Sequence, residues 1–295
     1  MSLPGLSIIG ERINPGFRST KALFDQEDLA GIQSLAVRQA EAGARYLNVN
    51  GGTKALQNPQ FMAEVVRCIQ AVVALPLSLD CPDLGVQEVL LQAYDESKAQ
   101  GHRPIINSLS ESRWELAECL RIRPCKVIIM SSEQRVDGRV VPTRSGDDVR
   151  RSAMAMVRRI KTMHPAMSND DFFIDVSVAT LAADTEGLIA MALEGVGLIR
   201  DQPELEGVHI MGGLSNLAQH LPAQAVDGSN LPHQLECAFL TLAMPLGFDT
   251  VLGTPWRGYR LLPEDNFVLR EFRQILELRD SEALMAIVKL FTPAT

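Results

Sequence analysis

The sequence predicts an α/β fold, a TIM (β/α)8 barrel with an additional C-terminal helix, spanning residues 1–295 as a single domain. Three observations predict it. Eight short apolar or β-branched runs alternate with longer stretches of helical spacing, the pattern of a parallel sheet with right-handed crossovers. No glycine-rich phosphate turn follows the first run, where GERINPG stands, so an open doubly wound sheet is second choice. No linker rich in Pro, Gly or Ser divides the chain.

The strands are predicted over 6–10 (LSIIG), 45–50 (RYLNVN), 76–80 (PLSLD), 104–108 (PIINS), 126–130 (KVIIM), 171–176 (DFFIDV), 208–213 (VHIMGG) and 248–252 (FDTVL). Helical segments are predicted near 28–42, 59–73, 84–99, 111–122, 147–163, 185–200 and 233–246. Asp147 and Asp148 suit a helix N-terminus, where negative charge meets the positive end of the dipole. Gly43 and Gly101 stand where helices should stop. Two further helices, 264–277 and 280–291, exceed the one that a barrel unit needs. The second carries Leu284, Ile287, Val288 and Leu290 on an apolar face that must be buried, which predicts a homodimer. The longer connections, near 131–146, 176–184, 219–232 and 253–264, follow strands five to eight, at the end of a barrel where active sites are built.

Composition narrows the class. With 28 Lys and Arg against 36 Asp and Glu, the net charge is -8, which disfavours nucleic-acid partners. Five scattered cysteines never form CxxC, which points to a reducing, cytoplasmic compartment and to no bound metal. No apolar run approaches a membrane span, and MSLPGLSIIGER does not read as a secretory leader.

Polar residues gather at the predicted strand ends. Glu11, Arg12 and Asn14 follow strand one, Asn48 and Asn50 close strand two, and Asp80 ends strand three. Asn107 ends strand four, Asp175 strand six, and Ser215 and Asn216 follow strand seven. Any one of them could cap a helix or close a turn. Six strands ending this way suggest a ring of carboxylates and amides facing one mouth, a site for a polar heterocycle. Only Arg12 is cationic at the strand ends proper, which disfavours a phosphorylated substrate, and neither GxGxxG nor GxxxxGK[ST] is present. A pterin edge fits: a carboxylate accepts from its 2-amino group and N3–H, and an amide meets O4.

The run IIGERIN at 8–14 resembles the opening of the methyltetrahydrofolate:corrinoid methyltransferases, pterin-binding barrels that exchange methyl groups between folate and a corrinoid. The likeness continues through QAEAGARYLNVN (39–50), LSLD (77–80), IINS (105–108), FFID (172–175) and GLSNLAQ (213–219), in order and over nearly the whole chain. It implies tetrahydrofolate or 5-methyltetrahydrofolate as substrate and a corrinoid (cobalamin) carried on a partner protein. It also implies that Asp80, Asn107 and Asp175 hold the pterin edge, that Asn216 faces N5, and that Ser215, Gln219, Asn14 and Asn50 line the site. Two features depart from the family. Asn48 stands where relatives often have Asp, and the long, charged loop SSEQRVDGRVVPTRSG after strand five is not matched to the family pattern.

The expected chemistry is displacement at a methyl carbon, in which N5 must gain a proton or a strong hydrogen bond. Asn216 can donate without ionising, with Asp80 or Asp175 as the relay for the proton. The corrinoid-ligating signature DxHxxG is absent; His209 lies in HIMG, reads as part of strand seven and is assigned a structural role. His102, His164, His220 and His233 are isolated from Cys and carboxylates, with His220 a candidate for the rim. Trp114 reads as packing, whereas Trp256 and Arg257 should stand at the mouth, Arg257 near the folate tail or the partner. Ser78 and Cys81 have no base in view. Dihydropteroate synthesis is the nearest competing enzyme reading, but its Lys-x-x-Arg and Arg-x-His are replaced by GLSNLAQ and VLGTPW. A non-catalytic protein that binds folate or docks a corrinoid partner is the competing reading of another class. A Schiff-base aldolase would need a lysine at a strand end, and none is there.

Overall fold

The computed structural model describes residues 3–292. Ten strands are present: β1 (Ser7–Ile13), β2 (Tyr46–Asn50), β3 (Leu77–Asp80), β4 (Ile105–Leu109), β5 (Lys126–Met130), β6 (Glu133–Val136), β7 (Arg139–Pro142), β8 (Phe172–Asp175), β9 (His209–Gly213) and β10 (Thr250–Gly253). Eight of them close into a parallel barrel in the order β1-β10-β9-β8-β5-β4-β3-β2. Ser7 pairs with Thr250 and Ile9 with Leu252, so the first and last barrel strands make the seam. All eight predicted strands are there, within a few residues.

The barrel has two apolar layers. Inside, Ile9, Ile105, Ile128, Phe173 and Met211 form a separate cluster, with Tyr46 and Leu252 against it. A much larger cluster fills the space between strands and helices. Each fully buried large side chain contributes about 1.5–3 kcal/mol of transfer free energy. The interior cluster therefore forms a stable floor. Strand side chains alternate faces, so two residues beyond each floor residue the chain again points inward. That rule takes Ile9 to Glu11, Tyr46 to Asn48, Ile105 to Asn107 and Phe173 to Asp175. A polar layer is thus built on the apolar one by period alone.

The helices follow local signals. Asp28, Asn58, Asp83, Asn230 and Asn266 each accept a backbone N–H as N-caps. Ser145 caps Gly146–Met163 by accepting from the Asp148 amide, and Asp147 and Asp148 occupy its first turn, as expected. Gly43 and Gly101 adopt φ of 97° and 80°, the left-handed conformation that ends a helix cheaply only at glycine.

Several expectations are corrected. Residues 111–122 form no α-helix; Glu111–Arg121 is a run of 3-10 turns broken at Arg113. The segment 84–99 is a helix only to Ala93, followed by a 3-10 turn over Glu96–Ala99. Helices Arg18–Asp25 and Gly52–Gln57 were not anticipated. The loop after β5 holds the antiparallel β6–β7 hairpin, with Val136 opposite Arg139. Its turn, Asp137–Gly138, has φ of 48° and 78°; the Asp-Gly pair is the sequence signal for such a turn. The C-terminal helices are Phe267–Glu277 and Asp280–Lys289. In the second, Ile287 and Leu290 are buried in the fold, whereas Leu284, Met285 and Val288 are 41%, 60% and 46% exposed. Only part of its apolar face therefore needs another surface. No helix among the described residues is long and apolar enough to cross a membrane.

Candidate active site at the strand ends

A cavity of about 380 Å³ opens at the C-terminal ends of the strands, lined by Glu11, Asn14, Phe17, Asn48, Asp80, Ser215, Asn216 and Gln219 among others. Its volume lies in the range of small-ligand pockets.

Asn48 is the hub of the floor. Its Nδ2 donates to Asp80 Oδ2 at 2.9 Å, and its Oδ1 accepts from Ser78 Oγ at 2.9 Å and from Asn107 Nδ2 at 3.0 Å. Adjacent strands in register make this possible: Asn48 pairs with Ser78, Asn50 with Asp80, and Asp80 with Asn107. Burial raises the Asp80 pKa, while bonds from Asn48 and Asn50 and the Arg113 charge pull it down. Asn107 thus joins the pocket network through Asn48.

Asp175 belongs to the same polar layer but is not on the cavity wall. It is buried, and its Oδ1 accepts from the Ser177 amide at 2.7 Å. Burial pushes its carboxyl up to about 6. A ligand reaching it would meet an acid that titrates near neutrality.

Asn216 closes a 3-10 turn over Leu214–Asn216 after β9. Gln219 Nε2 donates to Asn216 Oδ1 at 2.8 Å, which fixes the amide and leaves its nitrogen as a donor for another acceptor. The helix Leu231–Ala243 is capped by Asn230, so a capping role for Asn216 is excluded. Asn14 and Asn50 also serve turns: their Oδ1 atoms accept from Gly16 N at 2.8 Å and Gly52 N at 2.7 Å.

Glu11 is the acid at the pocket that sequence reasoning did not assign to the proton. One of its oxygens, Oε1, accepts from Ser215 Oγ and from Thr254 Oγ1, the latter at 2.7 Å. Burial raises its pKa, against those two bonds and the charges of Arg12 and Arg257.

Sequence reasoning places Arg12 at the strand ends and Arg257 at the mouth, and the fold brings up Arg38 beside them. Arg12 stacks on Phe17 at 3.7 Å, and Arg38 lies 3.9 Å from the Trp256 ring, which is 5.9 Å from Arg12. Arg257 lies 3.2 Å from the fully buried Glu236, whose carboxyl burial pushes up to about 7. Nothing in the local sequence flags Arg38, which precedes the QAEAGARYLNVN motif.

The histidines are sorted by position. His209 starts β9, at the opposite end of the barrel, where it stacks on Phe173 at 4.7 Å and bonds to Asp249 at 2.9 Å and Asp170 at 3.3 Å. That is a structural role. His233, read as isolated, comes within 3.4 Å of the Cys237 sulfur, but burial raises that thiol's pKa and keeps it protonated. His220 is exposed on the rim and does not line the cavity. Trp114 packs against the core under the Arg159 guanidinium, 3.5 Å from its ring. No three side chains of metal-binding type converge among the described residues.

Comparison with known proteins agrees with this architecture. The chain is 27% identical over 256 residues to the methylcorrinoid:tetrahydrofolate methyltransferase of Eubacterium limosum, covering 84% of each chain. Among solved structures it is similar to the Yersinia pestis dihydropteroate synthase bound to a pterine–sulfa conjugate, with TM-score 0.58, 14% identity, and coverage of 94% of this chain and 95% of that one. It is also similar to the Xanthomonas albilineans dihydropteroate synthase in complex with 7,8-dihydropteroate, with TM-score 0.55, 17% identity, and coverage of 86% and 89%. At those identities the two solved structures speak for the barrel fold alone. No protein-family model matches the chain. The resemblance read in the sequence to the methyltetrahydrofolate:corrinoid methyltransferases stands.

Proposed function

We propose that this chain is a methyltransferase that moves a methyl group between N5 of tetrahydrofolate and the cobalt of a corrinoid carried on a separate protein. The barrel as a whole serves as one pterin-binding domain. The observation that carries the reading is the polar layer of Glu11, Asn48, Asp80 and Asn107, set by strand period above an apolar floor and open to a cavity bordered by Asn216.

The corrinoid on its partner would supply the methyl with the Co–C electron pair left on cobalt, or would accept it with the C–N5 pair left on nitrogen. The protein must bind the pterin and manage N5. Asp80, kept in place by Asn48, accepts from the 2-amino and N3–H donors, and the neutral Asn107 meets the carbonyl. Asp175 adds a second acceptor when ionised. Asn216, fixed by Gln219, donates to N5 without changing its own charge. When N5 takes the methyl it loses a proton, and when it gives the methyl up it regains one. Glu11 joins Asp80 as a candidate to hold that proton, because both line the cavity and burial raises both pKa values; Glu11 is the one bound to Ser215, the neighbour of Asn216. The same donors serve both directions, so the supply of partner and folate sets the direction.

Mixing reduced cobalamin, 5-methyltetrahydrofolate and the protein tests this reading. The methylcobalamin absorbance should grow well above a protein-free control. Folate binding without growth of that signal would favour the non-catalytic alternative.

A further inference from the structure

Arg12, Arg38 and Arg257 converge on the rim beside the barrel seam, from β1, from the helix Leu29–Glu41 and from the turn after β10. The chain carries a net charge of -8, so a cluster of three guanidiniums runs against its average. Among the described residues, Arg12 and Arg38 have aromatic neighbours but no carboxylate in ion-pair contact; their partners are Phe17 at 3.7 Å and Trp256 at 3.9 Å. The Nε of Arg12 is buried with no hydrogen-bond partner. Arg257 has Glu236, which desolvation holds partly protonated at neutral pH. Like charges held together with unused donors are costly unless an anion joins them.

The cluster is continuous with the pocket. Phe17, on which Arg12 stacks, also lines the cavity with Asn14, Asp80 and Asn216. A ligand whose flat head lies on the polar floor would leave past an apolar ring wall and then meet cations. Tetrahydrofolate has that order of groups: pterin, aminobenzoyl ring, then the two carboxylates of glutamate.

We infer that Arg12 and Arg38 bind the glutamate carboxylates of the folate tail, with Phe17 and Trp256 as the wall along which the aminobenzoyl ring leaves the pocket. This rests on the folate reading above. Guanidinium–carboxylate pairs are the strong, geometrically specific kind, and the aromatic rings hold the guanidiniums ready for them.

The test compares tetrahydrofolate with 6-methyltetrahydropterin, which has the pterin head and no tail, by calorimetric titration. Wild-type protein should bind tetrahydrofolate more tightly, and only that affinity should weaken as salt is raised. Arg38→Gln, on an exposed helix face, should weaken tetrahydrofolate binding about tenfold and leave the pterin within twofold. Arg12→Gln should do the same if it folds, and Arg38→Gln decides the matter if it does not. Equal losses for both ligands would make the arginines structural and overturn the inference. So would unchanged tetrahydrofolate affinity with a raised KM for the corrinoid protein, which would give the patch to the partner. Competition by inorganic pyrophosphate for the same arginines would assign them to a phosphorylated substrate instead. A wild type that binds both ligands equally sinks the tail site alone, whereas one that binds neither sinks the folate reading with it.

Discussion

Asn48 holds Asp80 through a 2.9 Å bond from its side-chain amide, and this pair sets the charge of the pocket floor. With an amide at this position, one carboxylate stands alone there and can ionise. Asn48→Asp would put two carboxylates within hydrogen-bond distance. They would share one proton, and their first and second ionisations would separate. Pterin affinity in the variant should change about tenfold between pH 6 and pH 8, as the second carboxylate ionises. Equal affinity at both pH values would mean that Asn48 does not govern Asp80.

Asp175 gives the wild type a pH dependence of its own. Its folded pKa, about 6, lies above the unfolded value, so its contribution to stability is complete below about 4 and is lost as pH rises to 6. A pterin that donates to the carboxylate favours the ionised form, so binding should tighten about tenfold from pH 5 to pH 7.5. Asp175→Ala should abolish that dependence and weaken binding by about 2–4 kcal/mol at neutral pH, because N–H donors on the ligand lose a charged partner. Titration of tetrahydrofolate across pH in both proteins decides it.

Asn216→Ala should separate rate from affinity. If the amide donates to N5 chiefly as charge develops, methyl transfer in a single turnover should fall about 10²–10³-fold, with a much smaller loss of folate affinity. The melting temperature should barely change, since Asn216 caps no helix. Gln219→Ala, which frees the amide to rotate, should give an intermediate loss of rate with little change in binding. Parallel losses of rate and affinity would deny the amide a role in the transition state.

At the far end of the barrel, the Asp249 hydrogen bond does most to raise the pKa of His209, over the opposing effect of burial. A raised folded pKa means that the stabilisation is complete below the unfolded value near 6.5 and is lost as pH rises through the folded one. His209→Asn should therefore cost about 1 kcal/mol more at pH 6 than at pH 9, the usual worth of a partly exposed pair. Denaturant midpoints at the two pH values provide the check.

We propose that the exposed Leu284, Met285 and Val288 of the C-terminal helix meet a second copy of the chain. Light scattering at micromolar concentration should give a dimer mass, and Val288→Lys should give a monomer. A monomeric wild type would refute the proposal.

Much of this site is legible in the sequence because a strand has a rigid period. Once SIIGE, YLNVN, PIINS and FFID are read as strands, the inward direction of Glu11, Asn48, Asn107 and Asp175 follows, and with it a polar layer. What is not legible depends on neighbours in space. Asn48 looks like a departure until Ser78, Asp80 and Asn107 are seen on both sides of its amide. Arg12, Arg38 and Trp256 carry no shared local pattern, because barrel closure alone brings them together. Asp175 ends its strand as predicted, and the bond its carboxylate accepts from the Ser177 amide is not readable from the strand pattern. The β6–β7 hairpin is a different case, since its Asp-Gly turn was there to be read.

The carboxylate of Glu11 accepts from Ser215 and Thr254, partners 204 and 243 positions away along the chain. A nascent polypeptide therefore holds no finished pocket until Thr254 has left the ribosome, and folate can bind it only after that point. Bound ligand should then stabilise the closed barrel as a unit, by about 2.7 kcal/mol at a hundred times its Kd. Amide exchange in β1 and β10 should slow together, as if folate were a clasp at the seam.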